Sequence, residues 1–263
     1  MKNKGKILLL CALAVTVGQK LCGWGNTGHR IVAELAIRQL TPKTRAYLLQ
    51  LLPGGIADEA SWADQHRHDE EYAFTDAYHI MAMNHDYAYD PGWRMWRGGD
   101  CVTGLYFIDY NLANKARLSL TDSVKVFNIR MLVHILGDMH CLGHAYVMPE
   151  ENYWDCTFGG ETTTYHIVVD KAPNRIFENM TPAAVAESLD TLSEEEIAAH
   201  CSGSFEDWAQ ECCLRDKTLY DINSLYTAEL ASDTMEKISP AVREALQVSG
   251  YRLGYLLNKY FND

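Results

Sequence analysis

Nothing in this sequence divides it. It has no internal repeat, no low-complexity tract and no linker rich in Pro, Gly and Ser, and only 7 of its 263 residues are proline. With no shift in composition to mark a boundary, the chain reads as one domain behind a short leader. Cys-x-x-Cys pairs are missing, which removes the usual thiolate motif for zinc. The apolar stretch Ile7–Val17 is too short to span a bilayer. Positive charge is scarce as well: 23 Lys and Arg stand against 35 Asp and Glu, a formal charge of −12. Phosphate recognition usually needs a basic face, and this balance does not supply one. Several buried divalent cations would reverse the local field without changing that count, so a nucleic-acid substrate stays open.

What is present begins with an export signal. Lys2, Lys4 and Lys6 form a basic start, Ile7–Val17 an apolar run, and Gly18-Gln19-Lys20 a break, with Gly23 as a small residue at the cut. Residues 1–23 are therefore expected to be a cleaved signal peptide and 24–263 the mature domain, in the periplasm or outside the cell. Cleavage would remove the lysines at 2, 4, 6 and 20 and take the charge from −12 to −16. The residues before Cys22 lack the small side chains of a lipoprotein signal, so no stable membrane association is expected. Cys101, Cys141, Cys156, Cys201, Cys212 and Cys213 remain in the mature chain. Export permits disulfides, and six cysteines allow 15 pairings. They read as staples or as buried apolar residues, without a catalytic role.

Hydrophobic spacing favours helices. Residues 28–52 carry apolar positions at helical intervals, interrupted by Thr41-Pro42, a cap and first-turn pair for a second helix. Residues 101–118, 122–139, 181–199, 203–232 and 238–261 follow the same pattern, whereas 149–164 reads as loop or a short hairpin. The fold class expected is all-α: a single, mainly α-helical domain with a small hairpin region.

Polar residues recur within this pattern at ligand spacing. His134 and Asp138 stand at i and i+4, on one helix face, and His166 and Asp170 repeat the pair. His144 follows six residues after Asp138; Asp64 and His79 add a carboxylate and an imidazole. Nitrogen and oxygen donors without sulfur suit catalytic zinc, which keeps a position open for water. One such helical pair taken alone is more often a surface contact or a satisfied core contact. At the other end of the mature chain, cleavage before Trp24 would leave a free α-amine beside a backbone carbonyl. These two atoms can chelate a metal, and His29 lies five residues on.

The order of these elements (W-x4-H, S-W-A-D, Y-H, H-x3-D-x5-H, H-x3-D) resembles the trinuclear zinc nucleases, the family of fungal single-strand-specific and plant bifunctional nucleases. The resemblance runs over nearly the whole mature chain and includes Gly99-Asp100-Cys101-Val102, Trp208-Ala209 and Arg252-Leu253-Gly254-Tyr255-Leu256-Leu257-Asn258. It implies a mainly α-helical fold and three zinc ions. Asp64, His79, His134 and Asp138 would hold one ion; the amine and carbonyl of Trp24, His29 and the other oxygen of Asp138 a second; His144, His166 and Asp170 a third. It implies attack of an activated water on a phosphodiester, a 5′-phosphate product, and a single-stranded nucleic acid or a nucleotide as substrate, with the protein a monomer. Asp138 and Arg67 would be the catalytic residues, Arg67 as the contact to phosphate; read alone, Arg67 is a surface ion pair.

Departures from the family pattern keep alternatives in view. Cys141-Leu142-Gly143 stands where Gln-Pro-Leu is familiar, Val169 replaces a Trp, and Ala82 replaces an aspartate near the nucleobase. One alternative is a homologue that holds zinc or nucleic acid with weakened turnover. Another is a zinc-dependent phospholipase C, which shares the fold and cluster, but there the first His lies farther from the terminal Trp and the last ligand is Glu. Trp62, Tyr78 and Trp154 read as packing rather than base-stacking platforms.

Overall fold

The computed structural model describes residues 24–92, 98–146, 155–222 and 229–262. The proposed signal peptide, Trp154 and residues 149–153 lie outside them.

Helix α1 (Asn26–Gln39) is followed by α2 (Pro42–Leu51), with Pro42 in its first turn and the Thr41 hydroxyl accepting from the Thr44 N–H. The short α3 (Trp62–His66) leads through a 3-10 segment (Ala73–His79) to β1 (Met81–Ala82). Next come α4 (Cys101–Ala113), capped by Asp100, and α5 (Asp122–His140), capped by Thr121. β2 (Ala145–Tyr146) pairs in parallel with β1. β3 (Asp155–Phe158) and β4 (Glu161–Thr164) form the antiparallel hairpin expected within 149–164, turning at Gly159-Gly160. The chain closes with α6 (Tyr165–Asp170), α7 (Ala172–Ile176), α8 (Pro182–Leu189), α9 (Glu194–His200), α10 (Phe205–Ile222) and α11 (Thr234–Phe261). Among the described residues the domain is mainly α-helical, as expected.

Several boundaries differ from the expected ones. The stretch 181–199 is two helices, because Asp190 leaves the helix to bind Arg38, Gln39 and Tyr251. Ser193 and Glu196 then form a capping box that starts α9. The helix at 101–118 stops at Ala113; the end of the stretch 203–232 falls partly outside the described residues, with α10 described to Ile222 and Glu229 bridging Thr157 of the hairpin. The six cysteines from Cys101 to Cys213 are free and buried, so of their two readings the apolar one holds and the disulfide staples are corrected.

Helix α5 is the axis of the fold. Twelve of its residues from Asn128 to His140 are buried, on every face of its C-terminal half, as expected of a helix surrounded by others. Helices α1 and α11 pack closely against each other at Gly250 and Gly254. A Cβ at either position would come within 2.7 Å of Leu35 or Gln39. With the helices in place, α1, α3, the 3-10 segment and α6 all bring their polar residues to one end of α5.

Candidate metal centre

Asp138 is the meeting point. Its side chain is fully buried on α5, and its two oxygens face different partners. Oδ1 lies 3.2 Å from His29 Nε2, delivered by α1. Oδ2 lies 2.8 Å from His79 Nδ1, at the end of the 3-10 segment, and 2.9 Å from His134 Nε2, one turn earlier on α5. His79 Nδ1 and His134 Nε2 are themselves 2.8 Å apart. Asp64 on α3 approaches from the side, its Oδ2 3.7 Å from His29 Nε2 and 4.0 Å from His134 Nδ1. The His29 and His134 rings stack with centroids 4.7 Å apart, so His134 belongs to two overlapping groups of donors: His29–His134–Asp138 and Asp64–His79–His134.

A second cluster adjoins the first. His144 Nδ1 donates to the His79 carbonyl oxygen at 2.8 Å, which fixes the tautomer and leaves Nε2 to face Asp170 Oδ1 at 3.5 Å. Asp170 Oδ2 is 3.2 Å from His166 Nε2, one turn back on α6, and the His144 and His166 rings stack. Thr164 caps α6, so the six-residue helix that carries this pair starts at a defined point. The 143–145 loop is held from α10: Asp216 Oδ2 accepts from the N–H groups of both Gly143 and Ala145 at 3.0 Å.

Charge behaves as the crowding requires. Burial alone would raise Asp138, but His134, His29 and His79 outweigh it and hold this carboxyl well below its ordinary range. His134 is lowered chiefly by burial. Burial pulls His29 down, but its close approach to the Asp138 carboxylate, with the charges of Asp64 and Asp170, outweighs that and raises it. Asp170 is pushed up to about 8, first by burial and then by Asp138 and Asp64, with His166 opposing.

The donor set fits metal ions on this geometry. Nδ1 and Nε2 of His29, Oδ1 of Asp64, Nε2 of His79, Nδ1 of His134, Oδ1 of Asp138 and Oδ2 of Asp170 are all buried without a hydrogen bond of proper geometry. Buried polar atoms are normally satisfied, and so many left over at one place point to cations as their partners.

The remaining sequence candidates fall as follows. Trp24 is fully buried with its Cβ against Gly28, and the next residue donates its N–H to the Asp170 carbonyl at 3.2 Å. Arg67 is buried, only 6% exposed, so it is not the surface ion pair of its plainer reading. His140, on α5 but off the His134–Asp138 face, donates to the Leu136 carbonyl and accepts from Arg252, away from the cluster. Trp62 stacks on His66 under Arg130 and meets Tyr72 and Phe127 edge-on, which is packing. Two residues at the site have no place among the sequence candidates. Asp216 carries no local signal, and Cys141 lies between Asp138 and His144 in sequence.

A family model described as S1/P1 Nuclease matches residues 24–262. The chain belongs to that family. It is a nuclease, a hydrolase of phosphodiester bonds. Among S1/P1 relatives, Nuclease S1 of Aspergillus oryzae is 23% identical across 96% of this chain and 97% of its own length. Endonuclease 4 of Arabidopsis thaliana is 25% identical across 98% and 94%, and Endonuclease 2 of the same plant 23% across 91% of each. The S1/P1 match starts at Trp24 and takes in every candidate ligand. Among the described residues no helix is long and apolar enough to cross a membrane.

Proposed function

We propose that this nuclease is exported, cut before Trp24, and loaded with three zinc ions, and that it hydrolyses single-stranded DNA and RNA to 5′-phosphorylated products, with 3′-nucleotidase activity. The observation that carries the reading is the division of Asp138, whose Oδ1 faces His29 at 3.2 Å while its Oδ2 faces His79 and His134 at 2.8 and 2.9 Å. That is the arrangement of a carboxylate shared by a pair of cations. Zinc bound there supplies Lewis acidity and lowers the pKa of water to near neutrality.

The chain's own residues do the rest. Asp64, His79, His134 and Asp138 hold the first ion. His29, the second oxygen of Asp138 and the terminal amine and carbonyl of Trp24 hold the next. His144, His166 and Asp170 hold the third. The His79 carbonyl keeps the proton of His144 on Nδ1, so the lone pair that would ligate is on Nε2. Arg67 presents a planar fork suited to the equatorial oxygens of a phosphoryl group in transit. Burial of this set keeps the field of each fixed charge strong.

The test uses the chain starting at Trp24, with single-stranded DNA, duplex DNA, RNA, a 3′-nucleotide and phosphatidylcholine as parallel substrates. Zinc content is measured by mass spectrometry and the new ends are mapped. Three zinc ions, single-strand preference, 5′-phosphate ends and loss of activity with chelator are expected. Cleavage of phosphatidylcholine alone, chelator-resistant activity, or zinc binding with no hydrolysis would each overturn the reading.

A further inference from the structure

Cys141 ends helix α5 three residues after Asp138 and three before His144, and it is buried, with 1% of its surface exposed. Its Sγ lies 3.7 Å from Asp170 Oδ1, and Sγ, a His144 ring nitrogen and an Asp170 oxygen all lie within 4.8 Å of one another. Its other hydrogen-bond acceptor is the Leu142 carbonyl, at a long 3.5 Å. Independently, Asp170 Oδ2 is buried in the same cluster without a hydrogen bond.

The separations among Cys141, His144 and Asp170 Oδ1 are those of ligands on one ion. Zinc bonds of about 2.0–2.1 Å to N and O and about 2.3 Å to S set tetrahedral edges of roughly 3.4 Å between N and O and roughly 3.5 Å between S and O. The structure has 3.5 Å for His144 Nε2 and 3.7 Å for Cys141 Sγ to Asp170 Oδ1, with His166 Nε2 3.2 Å from the other oxygen, Oδ2. We propose that Cys141 is a fourth protein ligand of the third ion, which this chain therefore holds through sulfur, two imidazoles and a carboxylate.

The inference rests on the three-ion reading above and adds a donor to it. Binding breaks the Cys141 S–H bond, forms a sulfur–metal bond and releases the proton to solvent. Four protein donors close a tetrahedral shell, as in sites where zinc is structural, and leave this ion less room for a phosphate oxygen. Sulfur also turns the site toward soft ions, so cadmium should compete there while magnesium and manganese should not.

Cobalt replacement tests this directly. The chain starting at Trp24 is freed of zinc and titrated with Co2+, recording both ion stoichiometry and the near-ultraviolet band of a cobalt–thiolate bond. Three ions with the band in the wild type, and three binding events without it in Cys141→Ser, are expected. The serine variant should bind one ion at least about tenfold more weakly and the other two as before. Cys141→Ala serves as a second variant, and Cys156→Ser as a control that keeps the band. Three ions with no band, or a band that survives in both Cys141 variants, overturns the thiolate ligand and leaves the three-ion reading standing. Fewer than three ions in the wild type overturns that reading and the inference with it.

Discussion

Gly137 lies flat against the imidazole of His29: a Cβ at this position would come within 2.5 Å of Nδ1. The space belongs to the ring, because Gly137 is the residue before Asp138 and His29 must reach the oxygen of that carboxylate.

Gly137→Ala should therefore act against the usual rule. In an ordinary helix interior, alanine is favoured over glycine by about 1 kcal/mol. Here the methyl group displaces His29, so we expect loss of one metal ion and at least about tenfold lower nuclease activity. Overpacking should also reduce the stability of the metal-free protein by roughly 1–3 kcal/mol. Metal analysis and denaturant melts check it; full occupancy with a raised melting point would contradict it.

Extending the mature chain by one residue before Trp24 turns the proposed amine ligand into an amide. We expect one ion fewer and most of the activity lost, with the fold unchanged by circular dichroism. Full activity in the extended form would remove the terminal amine from the ligand set.

Arg67→Lys keeps the charge and loses the planar fork. If Arg67 meets the phosphoryl oxygens, kcat/KM should fall by roughly 100-fold while the zinc content stays the same. A drop in metal content instead would make Arg67 a support of the cluster.

Asp216 gives a pH signature. Burial pushes it up to about 7, although the N–H groups of Ala145 and Gly143 and the Arg215 charge pull the other way. An unfolded aspartate titrates near about 4. The folded state therefore holds the proton more tightly, and the stability contribution of this group falls as pH rises from about 4 to about 7. Asp216→Asn cannot titrate. The stability of the metal-free variant relative to wild type should rise across that window and be flat above it, as read by urea melts at several pH values. A pH-independent difference would contradict the buried, protonated carboxyl.

Arg252 is fully buried and ties three elements together. It donates to the His200 carbonyl, to His140 and to Glu211, and its guanidinium lies over Trp208. Removing it leaves these acceptors unsatisfied, and Arg252→Met should destabilise the fold by about 3–5 kcal/mol. The Glu211 side chain is half exposed, so the lower end of that range is expected. Calorimetry of the variant checks the figure.

Much of the centre is legible along the chain. The i, i+4 pairs His134–Asp138 and His166–Asp170 do sit on helical turns, and Thr41-Pro42 does start a helix. These are relations between near neighbours, and helical periodicity carries them. His140 was also separable from the ligands, because its position on α5 sets it off their face. The break at Asp190 was not read, since that residue leaves its helix for partners on α1 and α11.

The sequence by itself determined the inventory: helical segments, nitrogen and oxygen donors, and their order behind Trp24. The tertiary structure alone decided how the donors divide. It set the two oxygens of Asp138 on opposite partners, passed the His79 carbonyl to His144, buried Arg67, and brought the Cys141 thiol to Asp170. Each of these depends on the direction in which one element packs on another tens of residues away. Spacing along a chain fixes which face a side chain takes, but the packing of helices fixes what that face meets.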